Sequence, residues 1–312
     1  MNSDINNFSK AEEDGTSLLP RSVGIVGLGL LGGSLGQCLK ARFPDIRVLG
    51  YARRRESIDT ALRCNAIDYG STDAKNIVGD ADLLVLCLPV DVLIDFVREH
   101  IDSWRSASLV TDVGSVKNDI VRDLTPLFGE RNIDFIGSHP MAGSEKSGIE
   151  NAFPLLYDKA PVFVTPTAER IASQKVEEVV AFWRAVGGKP VILEPAEHDR
   201  LVAGTSHLIH LLAAVAVDVV LEDDQSKLAA GTGFRDFSRI AAGSPDVWTQ
   251  IFRQNRSALL DVMTLYREEL DKFQDFLLAE DWDKVRNILS EARKKRIEWY
   301  DNWCAVREEQ SE

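Results

Sequence analysis

The chain has 312 residues, of which 45% are hydrophobic, and this length and composition suit two globular domains with a core each. Its formal net charge of -13 disfavours a general role in binding nucleic acid or anionic membrane, because both attract basic proteins. The cysteines, Cys38, Cys64, Cys87 and Cys304, show no Cys-x-x-Cys spacing, which favours a reducing cytoplasmic setting.

The polar start of the chain and its longest apolar run also bear on where the protein is located. Residues 1–20 are polar and acidic, without the apolar core of a signal peptide, and predict a disordered tail. The longest apolar run, residues 208–221, is interrupted by His210 and Asp218 and looks too short to cross a bilayer. We therefore expect a soluble, cytoplasmic protein without a membrane or nucleic-acid partner.

An alternation of short apolar runs and amphipathic helices begins at Ser22. Strands are predicted at residues 23–27, 47–51, 82–88, 108–113 and 134–137, with helices between them. This alternation predicts an α/β domain with a Rossmann-type, mostly parallel sheet. Residues 161–164 and 190–193 flank a helical stretch at 168–185 and are predicted to add strands to the same sheet.

After residue 194 the runs become long and helical in period, at 198–221, 248–276 and 282–306. A short element at 234–242 lies between two glycine-containing turns. We predict a dinucleotide-binding domain at 21–193 and an all-α substrate and dimerisation domain at 194–312. Apolar helix faces favour a homodimer, although the same faces would also suit packing within one subunit.

A glycine-rich turn follows the first predicted strand and opens a helix at 31–40. It consists of Gly27, Leu28, Gly29, Leu30, Leu31 and Gly32. In this motif the glycines permit a tight turn, close approach of a pyrophosphate and tight helix packing. The strand, turn and helix occur in the required order, so the pattern predicts a nicotinamide dinucleotide site. Pro89, after a central strand, is predicted to shape the same site sterically.

The end of the second strand bears on the choice of cofactor. Ala52 stands where an acidic residue would bind the ribose hydroxyls of NAD, and Arg53 and Arg54 follow it. Arginines at this position favour the 2′-phosphate of NADP, although a solvated basic turn would look the same. NADP is therefore the favoured cofactor and NAD remains possible.

Five ordered motifs cover nearly the whole chain after Arg21. Besides the glycine turn from Gly27 to Ser34, they are Thr111-Asp-Val-Gly-Ser-Val-Lys117, Gly137-Ser-His-Pro-Met-Ala-Gly-Ser-Glu-Lys-Ser-Gly148, Glu197-His-Asp-Arg200 with Ser206-His-Leu-Ile-His210, and Gly233-Phe-Arg-Asp-Phe-Ser-Arg239. In this order they resemble the prephenate/arogenate dehydrogenase family of tyrosine biosynthesis. The resemblance implies oxidative decarboxylation of prephenate or arogenate, with hydride transfer to a nicotinamide cofactor.

The resemblance also implies roles at the reacting centre. His139 matches the family's catalytic histidine, which accepts the hydrogen bond of the substrate hydroxyl and must be uncharged to do so. Ser115 would orient that imidazole or bond the same hydroxyl. Arg239 matches the arginine that binds a substrate carboxylate, and Arg235 aligns with a basic residue near the same pocket.

Other residues are weaker candidates for the substrate site. His207 and His210 share a helix face and could assist anion binding, and no carboxylate or cysteine joins them in a zinc site. Trp248 corresponds to an aromatic that the family places at the active site of the neighbouring subunit. Glu145 and Asp236 could form an ionic gate. For His198, a packing role and a pocket role are equally plausible.

Two other functions fit parts of the pattern. Another two-domain NAD(P)-dependent hydroxy-acid dehydrogenase or imine reductase would share the folds, but such enzymes rely on a helical-domain lysine or lack the His-Pro segment. A non-enzymatic NADP sensor would not need His139, Ser115 and Arg239 together. The choice between prephenate and arogenate, and inhibition by tyrosine, stay open.

Overall fold

The computed structural model describes residues 18–105, 108–143, 146 and 148–308, so most of the predicted tail and all of Glu145 lie outside the described residues. Within this range six parallel strands form one sheet in the order β3-β2-β1-β4-β5-β6. The strands are β1 (Ser22–Val26), β2 (Arg47–Tyr51), β3 (Tyr69–Ser71), β4 (Leu83–Leu86), β5 (Leu109–Asp112) and β6 (Asp134–Phe135). This order is of the Rossmann type and confirms the predicted fold class.

Helices connect these strands as the alternating pattern predicted. They are α1 (Leu30–Arg42), α2 (Arg55–Arg63), α3 (Lys75–Val78), α4 (Val90–His100) and α5 (Asn118–Gly129). Every residue of β1, β4 and β5 is buried, as expected of central strands covered on both faces. Each fully buried aliphatic side chain there contributes about 1.5–3 kcal/mol. The strand β3 was missed because Tyr69-Gly-Ser71 contains no apolar run.

A second sheet corrects one prediction. The strands β7 (Gly137–Pro140), β8 (Pro161–Thr165) and β9 (Lys189–Ile192) form a sheet of their own, in which β7 is antiparallel to β8. The expectation that residues 161–164 and 190–193 extend the first sheet is wrong. The predicted strand 134–137 is divided, because the Ile136 amide makes the last bond to Val110 and Gly137 then pairs with Thr165.

The helix predicted at 168–185 starts later. The chain makes a short 3-10 turn at Ala168–Arg170, and α6 (Gln174–Ala185) begins where the Ser173 side chain accepts a hydrogen bond from the Val176 amide. A serine at this position satisfies an amide of the first turn and fixes the helix start. The apolar period therefore predicted the helix but not its beginning.

The helical half is more interrupted than its period suggested. It contains α7 (Pro195–Val202), α8 (Leu208–Val220), α9 (Asp224–Ala229), α10 (Thr232–Ser238), α11 (Pro245–Gln254), α12 (Arg256–Leu278) and α13 (Trp282–Glu308). A π-helical turn at Ala203–His207 joins α7 to α8, and a 3-10 turn at Arg239–Ala242 follows α10. Such π-turns often occur at functional sites.

The helical run from Pro195 to Val220 is longer than the predicted apolar segment. Its 26 residues and hydropathy of 1.6 meet the length and composition of a membrane span, a test that core helices of soluble proteins also pass. Buried His198, Asp199 and His207 lie on it.

The chain divides into two compact units, one ending at Arg256 and one starting at Ser257. In the second unit the Asp281 carboxylate accepts a hydrogen bond from the Lys284 amide at the start of α13. Many large apolar side chains of this unit are exposed, including Leu278 at 75% and Leu289 at 58%. The proposed boundary near residue 194 stays a prediction.

Candidate active site

The glycine turn lies at the carboxyl end of β1 and has the shape that a pyrophosphate needs. Gly27 has a φ of +107°, and a Cβ there would lie 2.4 Å from the Cys87 carbonyl oxygen. A Cβ on Gly32 would lie 2.0 Å from the carbonyl oxygen of Gly27, whereas one on Gly29 would meet no heavy atom within 4 Å. The backbone is therefore tightly packed except at Gly29, which borders open space.

The start of α1 supplies the electrostatics of an anion site. Gly29 is its N-cap, without a side-chain cap, and the first turn carries no acidic residue. The first amides of a helix have no partner within the helix and attract negative charge. Leu28 and Leu30 are buried and Leu31 is half-buried, so these leucines would contribute backbone groups. The turn fits a dinucleotide pyrophosphate.

Two further predicted cofactor residues lie at the same edge of the sheet. Pro89 is exposed and forms the N-cap of α4, directly after β4, which pairs with β1. At the end of β2, Ala52 is buried while Arg53 and Arg54 are exposed before α2. No acidic side chain takes the place of Ala52, and the two guanidinium groups face solvent in the bend.

His139 belongs to β7 and is buried. Its Nδ1 lies 2.8 Å from Nε2 of His198, and Nδ1 of His198 lies 2.7 Å from a carboxylate oxygen of Asp199. The chain of contacts leads from β7 to α7, across 59 residues of sequence. An ionised carboxylate only accepts, so His198 donates from Nδ1 and accepts at Nε2. His139 then donates from Nδ1, which leaves its Nε2 as a proton acceptor.

Burial keeps both imidazoles uncharged at neutral pH. Desolvation, followed by the charges of His198, Lys117 and His207, holds the pKa of His139 well below its usual range. The pKa of His198 is also lowered by burial, but its hydrogen bond to Asp199 opposes that effect. A neutral imidazole is the form that a general base requires.

Asp199 is itself fixed by the start of α5. Its two carboxylate oxygens accept hydrogen bonds from the amides of Lys117 and Asn118, at 2.8 and 2.9 Å. The side chain of Asn255 donates to the Asp199 carbonyl oxygen at 2.7 Å. The helix amides favour the ionised carboxylate. Asp199 is therefore a preorganised acceptor for His198.

A buried ion pair lies beneath this chain of contacts. The ammonium group of Lys117 bonds to Asp112, and both side chains are fully buried. Asp112 also accepts from the amides of Gly114, at 2.8 Å, and Ser138, at 2.9 Å. Burial lowers the pKa of Lys117, and the Asp112 charge opposes that shift. Because Ser138 precedes His139, Asp112 ties β7 to the carboxyl end of β5.

Ser115 is half-buried in the loop after β5. In the described part of the chain, Nδ1 of His139 lies against His198, so a contact from Ser115 to this imidazole would be made at Nε2. The expected contact of Ser115 with the imidazole or with the substrate hydroxyl stays a prediction.

His207 and His210 are both buried, but they have different surroundings. Nδ1 of His207 lies 3.1 Å from the side-chain nitrogen of Asn255, and burial lowers the pKa of His207 to about 4. His210 stacks on Trp248, with ring centroids 3.6 Å apart and an interplanar angle of 11°. Within the described residues, its buried Nδ1 has no hydrogen-bond partner. His210 thus retains a buried ring nitrogen without a hydrogen-bond partner in this part of the chain.

The remaining predicted substrate residues are two arginines and a tryptophan of the helical half. Arg239 and Arg235 are exposed, and Arg235 pairs with Asp236 at 2.9 Å. Arg239 begins the 3-10 turn that packs on α8, the helix of His210. Trp248 packs on His210 of its own chain, so its expected contribution to a neighbouring subunit stays a prediction. Of the expected ionic gate, Asp236 lies on α10 and Glu145 lies outside the described residues.

Sequence reasoning missed the residues behind His139. Asp199, Lys117 and Asp112 lie in the quoted motifs without an assigned role at the reacting centre, and for His198 a pocket role was only one of two alternatives. The adjacent pair His198 and Asp199 was the available signal, since a histidine beside a carboxylate commonly forms part of a base and its orienting group.

The site and fold together define a dinucleotide-dependent dehydrogenase. The family description "prephenate dehydrogenase, nucleotide-binding domain" matches residues 35–192, and "prephenate dehydrogenase, dimerization domain" matches residues 194–291. A cyclohexadienyl dehydrogenase of Zymomonas mobilis is 30% identical over 283 residues, covering 89% of this chain and 95% of that protein. The chain belongs to the prephenate dehydrogenase family.

Solved structures agree with this assignment. Prephenate dehydrogenase of Aquifex aeolicus, in complex with hydroxyphenyl propionate and NAD+, has a TM-score of 0.82 and 31% identity, covering 89% of this chain and 97% of that one. Synechocystis arogenate dehydrogenase has a TM-score of 0.78 and 28% identity, with coverage of 89% and 99%.

Proposed function

We propose that this protein is an oxidoreductase of tyrosine biosynthesis that oxidatively decarboxylates prephenate or arogenate, giving 4-hydroxyphenylpyruvate or tyrosine. The observation that carries the proposal is the buried, neutral His139, whose Nδ1 is occupied by His198. Its Nε2 is left to accept the hydroxyl proton of the cyclohexadienol ring. When bound, the nicotinamide cofactor supplies the hydride acceptor.

The chain's own residues divide the remaining work. Arg239 holds a substrate carboxylate, with Arg235 close by, and Ser115 bonds the reacting hydroxyl. His210 contacts the substrate from α8, and its ring is held in place by stacking on Trp248. His207 stays uncharged beside Asn255 and borders the same pocket. Loss of carbon dioxide makes the ring aromatic, so the reaction is effectively irreversible.

For the cofactor we propose NADP over NAD. The support is the exposed pair Arg53 and Arg54 beside buried Ala52, where NAD-specific sites carry an acid. The turn from Gly27 to Gly32 would hold the pyrophosphate through the first amides of α1, with Pro89 shaping the neighbouring loop. NAD is the cofactor in the Aquifex structure, so the preference rests on the arginines of this chain.

The assembly is proposed to be a homodimer in the cytoplasm. The match to a dimerization domain and the exposed apolar side chains of α12 and α13 support a second copy as partner. A helical domain from residue 194 onward agrees with the change from alternating strands to long helices. The net charge of -13 supports a soluble protein that binds small anions locally.

The test is turnover of both cyclohexadienyl acids with both nicotinamide cofactors. We expect reduced cofactor and carbon dioxide in equal amounts. His139→Asn should lower kcat by about 10²- to 10⁴-fold, the usual contribution of a general base, while cofactor affinity changes little. His100→Asn on α4 is the matched control and should retain activity. Cofactor binding without turnover of either acid would instead favour a sensor.

A further inference from the structure

We propose that His198, backed by Asp199, is a positioning residue that sets the tautomer of His139 and takes up its Nδ1 proton during the reaction. The inference rests on the proposed function and deepens it. In this arrangement, the proton taken from the substrate hydroxyl is stored inside the protein and is not released to solvent.

The geometry specifies where each proton lies before the reaction. Asp199 is committed as an acceptor by the amides of Lys117 and Asn118 and by Nδ1 of His198. That commitment makes Nε2 of His198 an acceptor and therefore assigns the proton between the two rings to Nδ1 of His139, across 2.8 Å. The opposite tautomer would place two lone pairs against each other at one of these contacts.

The charge distribution favours moving the second proton. An imidazolium at His139 would lie in a buried strand near the cation of Lys117, which disfavours it. One at His198 would also be affected by Lys117 and by burial, but it would be in direct contact with the Asp199 carboxylate. The other titratable groups facing the pair are Asp112 and His207. Transfer from His139 to His198 therefore brings the positive charge next to its counter-ion.

With His198 as the proton acceptor, every proton that moves in the reaction is accounted for within the site. As the hydride leaves, the substrate O–H bond breaks and Nε2–H of His139 forms, while Nδ1–H of His139 breaks and Nε2–H of His198 forms. Next, the bond to the leaving carboxylate breaks, its electron pair enters the ring, and the carbonyl oxygen becomes the phenol by taking the proton from Nε2 of His139. In the same step His198 returns its Nε2 proton to Nδ1 of His139, and none is released to solvent.

Burial of every member of the chain suits a proton that is held and returned. His198 is 0% exposed, Asp199 5% and His139 9%. A base that discharged its proton to water in each turnover would need a wet path beside it. Among the described residues, the side chains in direct contact with His198 include Asp199, His139 and Phe163, and the ring centroid of Phe163 is 5.3 Å away.

Two replacements of His198 separate orientation from proton uptake. His198→Gln keeps an oxygen that accepts from Nδ1 of His139 but has no basic nitrogen, whereas His198→Phe removes the acceptor altogether. Nitrogen-15 NMR of the imidazoles in the ligand-free protein reports the tautomer independently of turnover. We expect Nε2 of His139 to be unprotonated in the wild type and in His198→Gln, and a mixture of tautomers in His198→Phe.

The kinetic arm uses single-turnover hydride transfer in mixtures of light and heavy water. We expect a curved dependence on deuterium fraction in the wild type, as two protons move together, and a linear one in His198→Gln with a rate about 10- to 100-fold lower. A wild-type rate and curvature in His198→Gln would overturn proton uptake. Protonated Nε2 of His139 in the wild type would overturn the tautomer assignment.

The two proposals fail in different ways. If the wild type turned over neither acid with either cofactor, the proposed function would be rejected and the proton store with it. The NMR arm would still decide the tautomer. If the wild type is active and His198→Gln matches it, only the role of His198 is rejected.

Discussion

The groups that we propose to control a proton and the groups that we propose to bind anions lie in opposite environments in this protein. His139, His198, Asp199 and the Lys117–Asp112 pair are buried, whereas Arg53, Arg54, Arg235 and Arg239 are exposed. A histidine changes its charge with its surroundings, so its surroundings must be fixed, but an arginine stays charged even in water. The proposed base is therefore held in the interior, and the arginines that we propose to bind anions remain accessible.

The largest effect of this contrast should be on stability. Lys117→Met should lower the free energy of unfolding by about 3–5 kcal/mol, because it leaves the Asp112 charge buried without its partner. Arg47→Met, which removes an exposed ion pair with Asp80, should cost less than about 1 kcal/mol. Denaturant titration measures both. The double variant Lys117→Met with Asp112→Asn should recover part of the loss, and equal losses at Lys117 and Arg47 would refute the contrast.

The second-largest effect should be a loss of folding stability in acid, caused by the buried histidines. His207 has a folded-state pKa of about 4 against an ordinary value of 6.5, so below pH 6.5 the unfolded chain binds a proton that the folded protein refuses. Stability is then lost as the pH falls from 6.5 to about 4, by about 3 kcal/mol for this group, and the loss levels off below that.

Denaturant titrations across this pH range would measure the slope. His207→Asn should make it shallower, while other buried histidines keep part of it, and His100→Asn should leave it as in the wild type. An unchanged slope in His207→Asn would show that this imidazole titrates normally in the folded protein.

On the exposed side, Arg239→Ala should act on substrate binding more than on chemistry. Loss of one charge-assisted contact costs roughly 1.5–3 kcal/mol, which corresponds to a KM about 10- to 100-fold higher with a smaller change in kcat. Arg235→Ala is the matched comparison, an exposed arginine four residues earlier that we propose lies near the carboxylate without binding it, and its KM should change by only a few-fold. Steady-state kinetics with prephenate would distinguish them, and similar KM values would remove Arg239 from the site.

The smallest effect concerns cofactor choice. Arg53→Ala should weaken NADP binding by about 10-fold and leave NAD binding unchanged, since only NADP carries the 2′-phosphate. Arg55→Ala is the control, because Arg55 is engaged by Asp59 on α2 at 2.9 Å. Fluorescence titration with both cofactors measures the ratio. Equal weakening of NAD and NADP would argue against a phosphate contact.

The features that could be predicted from the sequence are those formed by residues close together along the chain. Gly27, Gly29 and Gly32 form a turn within six residues, so their spacing between a strand and a helix indicates a pyrophosphate site, and the structure has the required shape. The buried runs of β1, β4 and β5 were likewise readable as strands. His139 and Arg239 were assigned by resemblance to a family and not by any local pattern.

The features that the sequence did not predict are contacts between residues far apart along the chain. An apolar run shows that a strand exists but not which strand it pairs with, so β8 and β9 were placed in the wrong sheet. The contact between His139 and His198 joins residues 59 apart, and the period of α7 is the same whether His198 packs or accepts a proton. Such assignments need the tertiary fold.

The π-turn at Ala203–His207 adds one residue to a helical run whose two ends both serve the site. The turn takes up that extra residue within a single wide turn, so the helices on either side keep nearly the facing of one continuous α-helix. If the same residues formed a regular α-helix, α8 would rotate by about 100° relative to α7, and His210 would leave the face it shares with Trp248. The wide turn thus acts as an angular adjustment between the helix of the proposed proton acceptor and the helix of the proposed ligand contact.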